Sequence, residues 1–261
     1  MQDQPWLLEI GQLAKSFRGL VAVHDYAVQL RPGEILGIIG PNGAGKTTVF
    51  NLLTGYLRPT HGRIVLDGSD ITGRSPDQIA ALGVGRTFQN IRLFPTMTVL
   101  DNVKCAQQLR DRDSLLTTLL SWPSFKTRER GLSDRSLEQL ALFNLDGHAN
   151  ALATALSYGD QRRLEIVRAL ALHPKLLLLD EPTAGMNPRE SMDVLRLILR
   201  IREQYHLTII LVEHNMPVVM QLCERIQVLN HGETIAEGTP EQIRANPQVI
   251  EAYLGRAGGD A

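Results

Sequence analysis

Five apolar residues, Ile35–Ile39, run directly into Gly40-Pro41-Asn42-Gly43-Ala44-Gly45-Lys46-Thr47, and residues 48–54 then have helix composition. So short and unbroken an apolar run predicts a buried strand. The octapeptide fits GxxxxGK followed by Ser or Thr, in which glycines let backbone N–H groups turn inward around phosphate oxygens at a helix N-terminus. Lys46 is spaced to reach the β- and γ-phosphates of a nucleotide, and Thr47 to offer its hydroxyl to Mg²⁺. A glycine turn without a ligand is the competing reading, and the lysine with the two threonines, Thr47 and Thr48, weighs against it. Gly40, Pro41, Asn42, Gly43, Ala44, Gly45, Lys46, Thr47 and Thr48 are therefore the candidate nucleotide site.

Upstream, residues 7–17 and 21–30 alternate apolar with polar side chains and end in the turn Arg31-Pro32-Gly33, which predicts two antiparallel strands. Residues 62–66 and 84–88 predict further short strands, and Ser75-Pro76-Asp77-Gln78 a capped helix start. From Thr98 to about Leu156 the β-branched runs vanish and Leu recurs at helical spacing, predicting an inserted helical lobe. Beyond it, apolar strands over 176–179 and 208–212 alternate with helices over 164–172 and 189–205. That alternation predicts a parallel sheet covered on both faces.

Hydrolysis of a nucleotide needs a metal ligand and a group that orients the attacking water. Asp180 and Glu181 end the apolar run 176–179, with Asp180 suited to hold Mg²⁺ through water and Glu181 to act as base. His214 follows the run 208–212 and is expected at the same carboxyl edge of the sheet. Gln89 follows the run 84–88 at the junction with the helical lobe, where its amide suits Mg²⁺ or water. Taken singly, an acidic strand end, a histidine or a glutamine has an ordinary structural explanation.

A net charge of −1 gives no overall attraction to polyanions, so no nucleic-acid partner is expected. The two cysteines, Cys105 and Cys223, are too few for a disulfide framework and suit a reducing compartment. The first residues lack the basic-then-apolar order of a signal peptide, and no stretch approaches the roughly 20 apolar residues that span a bilayer. If the protein serves a membrane, another chain crosses it.

In chain order, Gly40 to Thr47, Gln89, Leu156-Ser157-Tyr158-Gly159-Asp160, Asp180-Glu181 and His214 resemble the phosphate loop, glutamine loop, signature, acidic and histidine motifs of the ATP-binding cassette family. Finer phrases resemble its branched-chain amino acid importer ATPases: residues 86–94, Tyr158 within the signature, residues 161–166, Val212-Glu213-His214 and the end Glu251-Ala252-Tyr253-Leu254-Gly255. The resemblance implies an α/β fold, a P-loop NTPase (RecA-like) core with an N-terminal antiparallel β subdomain and an inserted helical subdomain. Residues 1–90 and 160–232 would form the core with its β subdomain, 91–159 the helical insertion, 233–255 a C-terminal extension and 256–261 a tail. The apolar insertion 115–125 also resembles that subfamily and is expected to pack within the helical lobe.

By the same resemblance, ATP and Mg²⁺ are the cofactors. Glu181, His214 and Gln89 are catalytic, Thr47, Gln89 and Asp180 serve the metal, and Phe17 stacks on adenine. Ser157 and Gly159 close on a nucleotide held by a second cassette. Implied partners are transmembrane permease subunits, a second ATPase subunit (identical or sister) and, indirectly, a periplasmic solute-binding protein. The implied location is the cytoplasmic face of the inner membrane. The implied function is ATP-driven import of branched-chain or other neutral amino acids, with a urea importer or a lipid or lipopolysaccharide exporter as the nearest alternative. A GTPase, suggested by Asp70-Ile71-Thr72-Gly73, lacks the Asn-Lys-x-Asp motif, and non-transport cassette ATPases usually carry two cassettes or a long coiled-coil insert. Two positions depart from the family pattern. Asp160 replaces a usual Gln and is expected to cap the Ser157 N–H, while Asn187 replaces a usual Asp and reads as an N-cap before Pro188.

Overall fold

The three apolar runs fold as β3 (Ile35–Ile39), β7 (Leu176–Asp180) and β8 (Thr208–Val212), buried at every residue. The computed structural model describes residues 5–110 and 122–254. Strands covered on both faces need no polar alternation, which is why their sequences are continuous. They pair in parallel, Ile38 level with Val212 and Val212 level with Asp180. The sheet has the order β10-β9-β3-β8-β7-β6, completed by β6 (Val84–Arg86), β9 (Arg225–Asn230) and β10 (Glu233–Gly238). Its register brings the carboxyl ends of β3, β7 and β8 to one edge.

Chain contacts divide the described residues into two units, one within 1–84 and 175–261, the other within 85–174. In the first unit β1 (Leu8–Phe17), β2 (Leu20–Leu30), β4 (His61–Leu66) and β5 (Ser69–Asp70) form an antiparallel sheet of order β2-β1-β4-β5. Its inward residues, among them Leu8, Ile10, Leu13 and Val28, share one core with Leu36 and Ile38 of β3 and with Val49 and Phe50 of α1 (Lys46–Leu53). The helix that follows the glycine loop is therefore locked by apolar packing with both sheets. Buried Tyr26 adds a polar tie between them: its hydroxyl donates to Gln227 Oε1 at 2.7 Å, and Gln227 Nε2 donates to Ala27 O at 3.0 Å and to Glu237 Oε2 at 2.8 Å. Helix α2 (Pro76–Ala81) starts with the capping box expected at Ser75 and Gln78.

The second unit is helical: α3 (Val99–Arg110), α4 (Trp122–Leu142) and α5 (Tyr158–Leu170) pack on one another. Its limits pass beyond both ends of 91–159 because α5 joins the packing of the other two helices. Thr98 caps α3 by accepting from Asp101 N–H at 3.0 Å. Fully buried Asn102 pins the preceding segment, donating to Phe94 O (3.1 Å) and Thr98 O (3.0 Å) and accepting from Phe94 N–H (2.9 Å). The apolar insertion expected to pack here, residues 115–125, falls mostly outside the described residues, as does the tail. The strand expected over 84–88 stops at Arg86, and α5 begins at Tyr158 rather than near 164. The strand is short because Phe88 spends its backbone groups on side chains of α5: its N–H goes to Glu165 Oε1 at 3.3 Å and its carbonyl accepts from Arg162 Nη1 at 2.6 Å.

Helix α6 (Pro188–Tyr205) lies between β7 and β8 in sequence, α7 (Met216–Leu222) follows β8, and α8 (Pro240–Ala245) and α9 (Pro247–Leu254) close the described chain. Among the described residues no helix is long and apolar enough to cross a membrane. Replacing Tyr26 by Phe leaves buried Gln227 Oε1 short of a donor, so Tyr26→Phe is expected to cost about 1–3 kcal/mol of stability. It should appear as a lowered urea midpoint with unchanged slope, and with ATP affinity intact.

Candidate functional site

At the carboxyl end of β3 the backbone turns through Gly40 and Gly45 at φ +149° and +105°, conformations that L side chains rarely adopt. Space excludes a side chain as well. A Cβ on Gly40 would lie 2.1 Å from Leu229 O, and one on Gly45 would lie 2.7 Å from Ala22 O. Lys46 is buried and spans the loop, its ammonium donating to Gly40 O at 2.6 Å and Pro41 O at 3.0 Å. Gly45 is the N-cap of α1, whose first turn holds no acidic residue, so the positive end of the helix favours an anion there. Asn42, Gly43 and Thr47 are exposed, Pro41 and Thr48 half-buried, and Ala44 is buried against the fold.

Phe17 ends β1 at the hairpin and is 41% exposed, with Lys15 Nζ 5.1 Å from its ring centroid. Its hairpin runs on to Ala22, whose carbonyl oxygen lies 2.7 Å from where a Cβ on Gly45 would stand.

Asp180 closes β7 and is buried. Glu181, the next residue, adopts φ +49°, unusual for a non-glycine, and its N–H is held by Val212 O at 2.8 Å. The bend turns its carboxylate to His214, whose Nε2 lies 2.6 Å from Glu181 Oε1. Sequence reasoning missed what organises this pair. Glu213 is buried, and its carboxylate accepts from Thr183 N–H (2.9 Å), the Thr183 hydroxyl, His214 N–H (3.0 Å) and Asn215 N–H (3.2 Å). One carboxylate thus binds the loop after β7 to the loop after β8. The available signal was an acid at the end of a buried strand, where an unpaired charge is costly. Downstream, Asn187 forms the expected capping box, accepting from Glu190 N–H at 3.0 Å while Glu190 Oε2 accepts from Asn187 N–H at 3.0 Å.

In the helical unit, Ser157 caps α5, its Oγ accepting from Asp160 N–H at 3.2 Å. The expectation that Asp160 would bind the Ser157 N–H is corrected. Its carboxylate accepts instead from the Ser157 hydroxyl (2.8 Å) and pairs with Arg163 Nη1 (3.3 Å), because the side-chain oxygen and a cation one turn on are both in reach. Nothing lies within 4 Å of where a Cβ on Gly159 would stand, so the first turn of α5 is open to an approaching group. Gln89 is exposed, and its carbonyl accepts from Arg162 Nη2. Arg162 and Glu165, a buried ion pair at 3.2 Å, hold the Gln89 segment from both sides, since Glu165 Oε1 also accepts from Arg92 N–H at 3.2 Å. Burial raises the Glu165 carboxyl above its ordinary range, against the lowering effect of the Arg92 amide and the Arg162 charge.

A glycine loop with a spanning lysine, an acidic pair ending one buried strand, a histidine after the next and a serine-capped helix in a helical unit define an ATP-binding cassette. The chain belongs to the ABC transporter family, whose model matches residues 23–184, and it is an ATP-hydrolysing subunit of that family. A second model, the branched-chain amino acid ATP-binding cassette transporter, matches residues 233–258. The chain is 48% identical over 255 residues to the high-affinity branched-chain amino acid transport ATP-binding protein LivG of Escherichia coli (strain K12), covering 98% of this chain and 100% of that one. A nucleotide-free ATP-binding cassette from an ABC transporter has the same fold, with TM-score 0.83, 29% identity and coverage of 96% of this chain and 100% of that one. So does an ATP-binding cassette solved as a dimer in a post-hydrolysis state bound to ADP and Pi, with TM-score 0.77, 26% identity and coverage of 89% and 98%.

Three variants test the roles expected of these residues. Glu181→Gln is expected to retain ATP binding while turnover falls by at least 100-fold, and Lys46→Ala to lose affinity itself, as measured by nucleotide titration beside phosphate release. Glu213→Ala frees both loops and leaves buried donors unpaired, so turnover should fall about 10-fold or more with α-helical content unchanged by circular dichroism.

Proposed function

We propose that this chain powers uptake of branched-chain amino acids as one ATPase of a pair on the cytoplasmic side of a membrane transporter. The observation that carries the cargo is the 48% identity to LivG over essentially the full length of both chains. The match of residues 233–258 to the branched-chain cassette model favours it over a urea importer or a lipopolysaccharide exporter.

In this reading the phosphate loop and Lys46 hold the β- and γ-phosphates, and the exposed ring of Phe17 stacks on adenine. Buried Asp180 and the hydroxyl of Thr47 are hard oxygen donors on one unit, a set that fits Mg²⁺, and the amide oxygen of Gln89 is a further donor of the same kind. When bound, Mg²⁺ neutralises phosphate charge. Glu181 takes the proton of the attacking water, and His214, whose Nε2 lies 2.6 Å from its Oε1, fixes the carboxylate in position. Ser157 and Gly159 of a second cassette meet the γ-phosphate, supported by the open first turn of α5. Closure then lasts only while that phosphate is present.

Gln89 and the adjoining exposed Phe94 pass closure to permease subunits that cross the bilayer, and a periplasmic solute-binding protein delivers cargo to them. The second ATPase is a copy of this chain or a sister chain. Purification with the permease subunits and the binding protein tests the cargo. ATPase activity in vesicles should rise several-fold with leucine, isoleucine or valine and stay flat with urea. Stimulation by urea, or none by the amino acids with basal hydrolysis intact, would reject the cargo and leave the ATPase assignment standing.

A further inference from the structure

Tyr158 stands between Ser157 and Gly159 as the first residue of α5 and is 48% exposed, so core packing does not account for it. What it does have is a polar contact inside its own helix. Its hydroxyl accepts from Arg162 Nη2 at 3.0 Å, and the guanidinium carbon of Arg162 lies 5.5 Å from the centroid of its ring. The two residues are four apart, the spacing at which side chains meet on one helix face.

Arg162 is 3% exposed, and its Nε is buried without a partner, so the N–H groups of Nη1 and Nη2 orient the guanidinium. Nη1 donates to Phe88 O at 2.6 Å and to Glu165 Oε2 at 3.2 Å. Nη2 donates to Gln89 O and to the Tyr158 hydroxyl. The nitrogen that holds the Gln89 backbone is therefore aimed, on its other N–H, by a side chain from the start of α5. Without the hydroxyl, water at this exposed position satisfies that N–H but does not fix its direction.

We propose that Tyr158 is a positioning residue for Gln89: its hydroxyl fixes the Nη2 edge of Arg162, and that edge fixes the Gln89 backbone. The inference rests on the ATPase reading, in which Gln89 serves hydrolysis, and is indifferent to the cargo. Loss of one hydrogen bond of this kind, with water in its place, corresponds to about a 5-fold change in an equilibrium constant.

The test compares Tyr158→Phe, which keeps the ring and removes the oxygen, with the parent full chain. Amide hydrogen exchange is followed by mass spectrometry, beside thermal unfolding and steady-state ATP hydrolysis. Exchange is expected to be about 5-fold faster over residues 88–92, where Glu165 holds the Phe88 and Arg92 N–H groups, and unchanged over 176–180 and 208–212. The unfolding midpoint should stay within about 2 °C of the parent, and kcat should fall about 5-fold at unchanged KM for ATP. Unchanged exchange over 88–92 overturns the proposal, and so does faster exchange there with parental turnover. Faster exchange along the whole of α5 overturns it as well, because a loosened helix would then account for the effect. A parent that hydrolyses no ATP rejects the ATPase reading itself, whereas the other adverse outcomes reject this inference alone.

Discussion

Ile38 pairs level with Val212 and Val212 with Asp180, so three strands buried on both faces stop at one height. A one-residue slip would turn alternate side chains to the opposite face and move Gly40, Asp180 and Glu213 out of line. Neither fault is tolerable in strands whose every residue is buried. Packing that stabilises the sheet therefore also fixes where chemistry can occur. The loops that carry Lys46, Glu181 and His214 all leave the sheet at that edge.

Short excursions still have to be held, and apolar burial cannot do it at a polar edge. Backbone groups and one carboxylate take over. Glu213 satisfies four donors from two loops, and its burial makes each of them consequential, since leaving the charge unpaired is far costlier than the bonds are stabilising. Glu181 is bent into φ +49° by the Val212 carbonyl and by its contact with His214. Strain of this kind persists only where surroundings over-determine it, and here the surroundings are the ends of β7 and β8.

Much of this was legible in the sequence because it is local. The glycine loop, the apolar strands and the Ser75 and Asn187 caps are patterns of spacing, and each occupies a few consecutive residues. Asp180, Glu181 and His214 were expected at strand ends, where the structure has them, without knowing which neighbours they touch. What escaped depends on groups distant in sequence. Nothing near Phe88 announces that Arg162 and Glu165 take its backbone groups, so the strand was expected two residues too long. Asp160 was misassigned because a capping spacing does not say whether the acid meets an amide or a hydroxyl.

The Arg162–Glu165 pair carries a consequence for how the helical unit responds as a body. Both side chains are buried and project from α5 about one and two turns after Ser157, and between them they grip Phe88 O, Gln89 O, Phe88 N–H and Arg92 N–H. Buried ion pairs contribute little net stability when desolvation is counted, so stability alone is a poor reason for them. Their geometry offers a better one. A helix whose N-terminus presents Ser157 and the segment bearing Gln89 cannot shift independently while four hydrogen bonds to one ion pair join them. Any displacement of Gln89 must either break charge-assisted bonds in a dry interior or carry the N-terminus of α5 with it, and the second is the cheaper path.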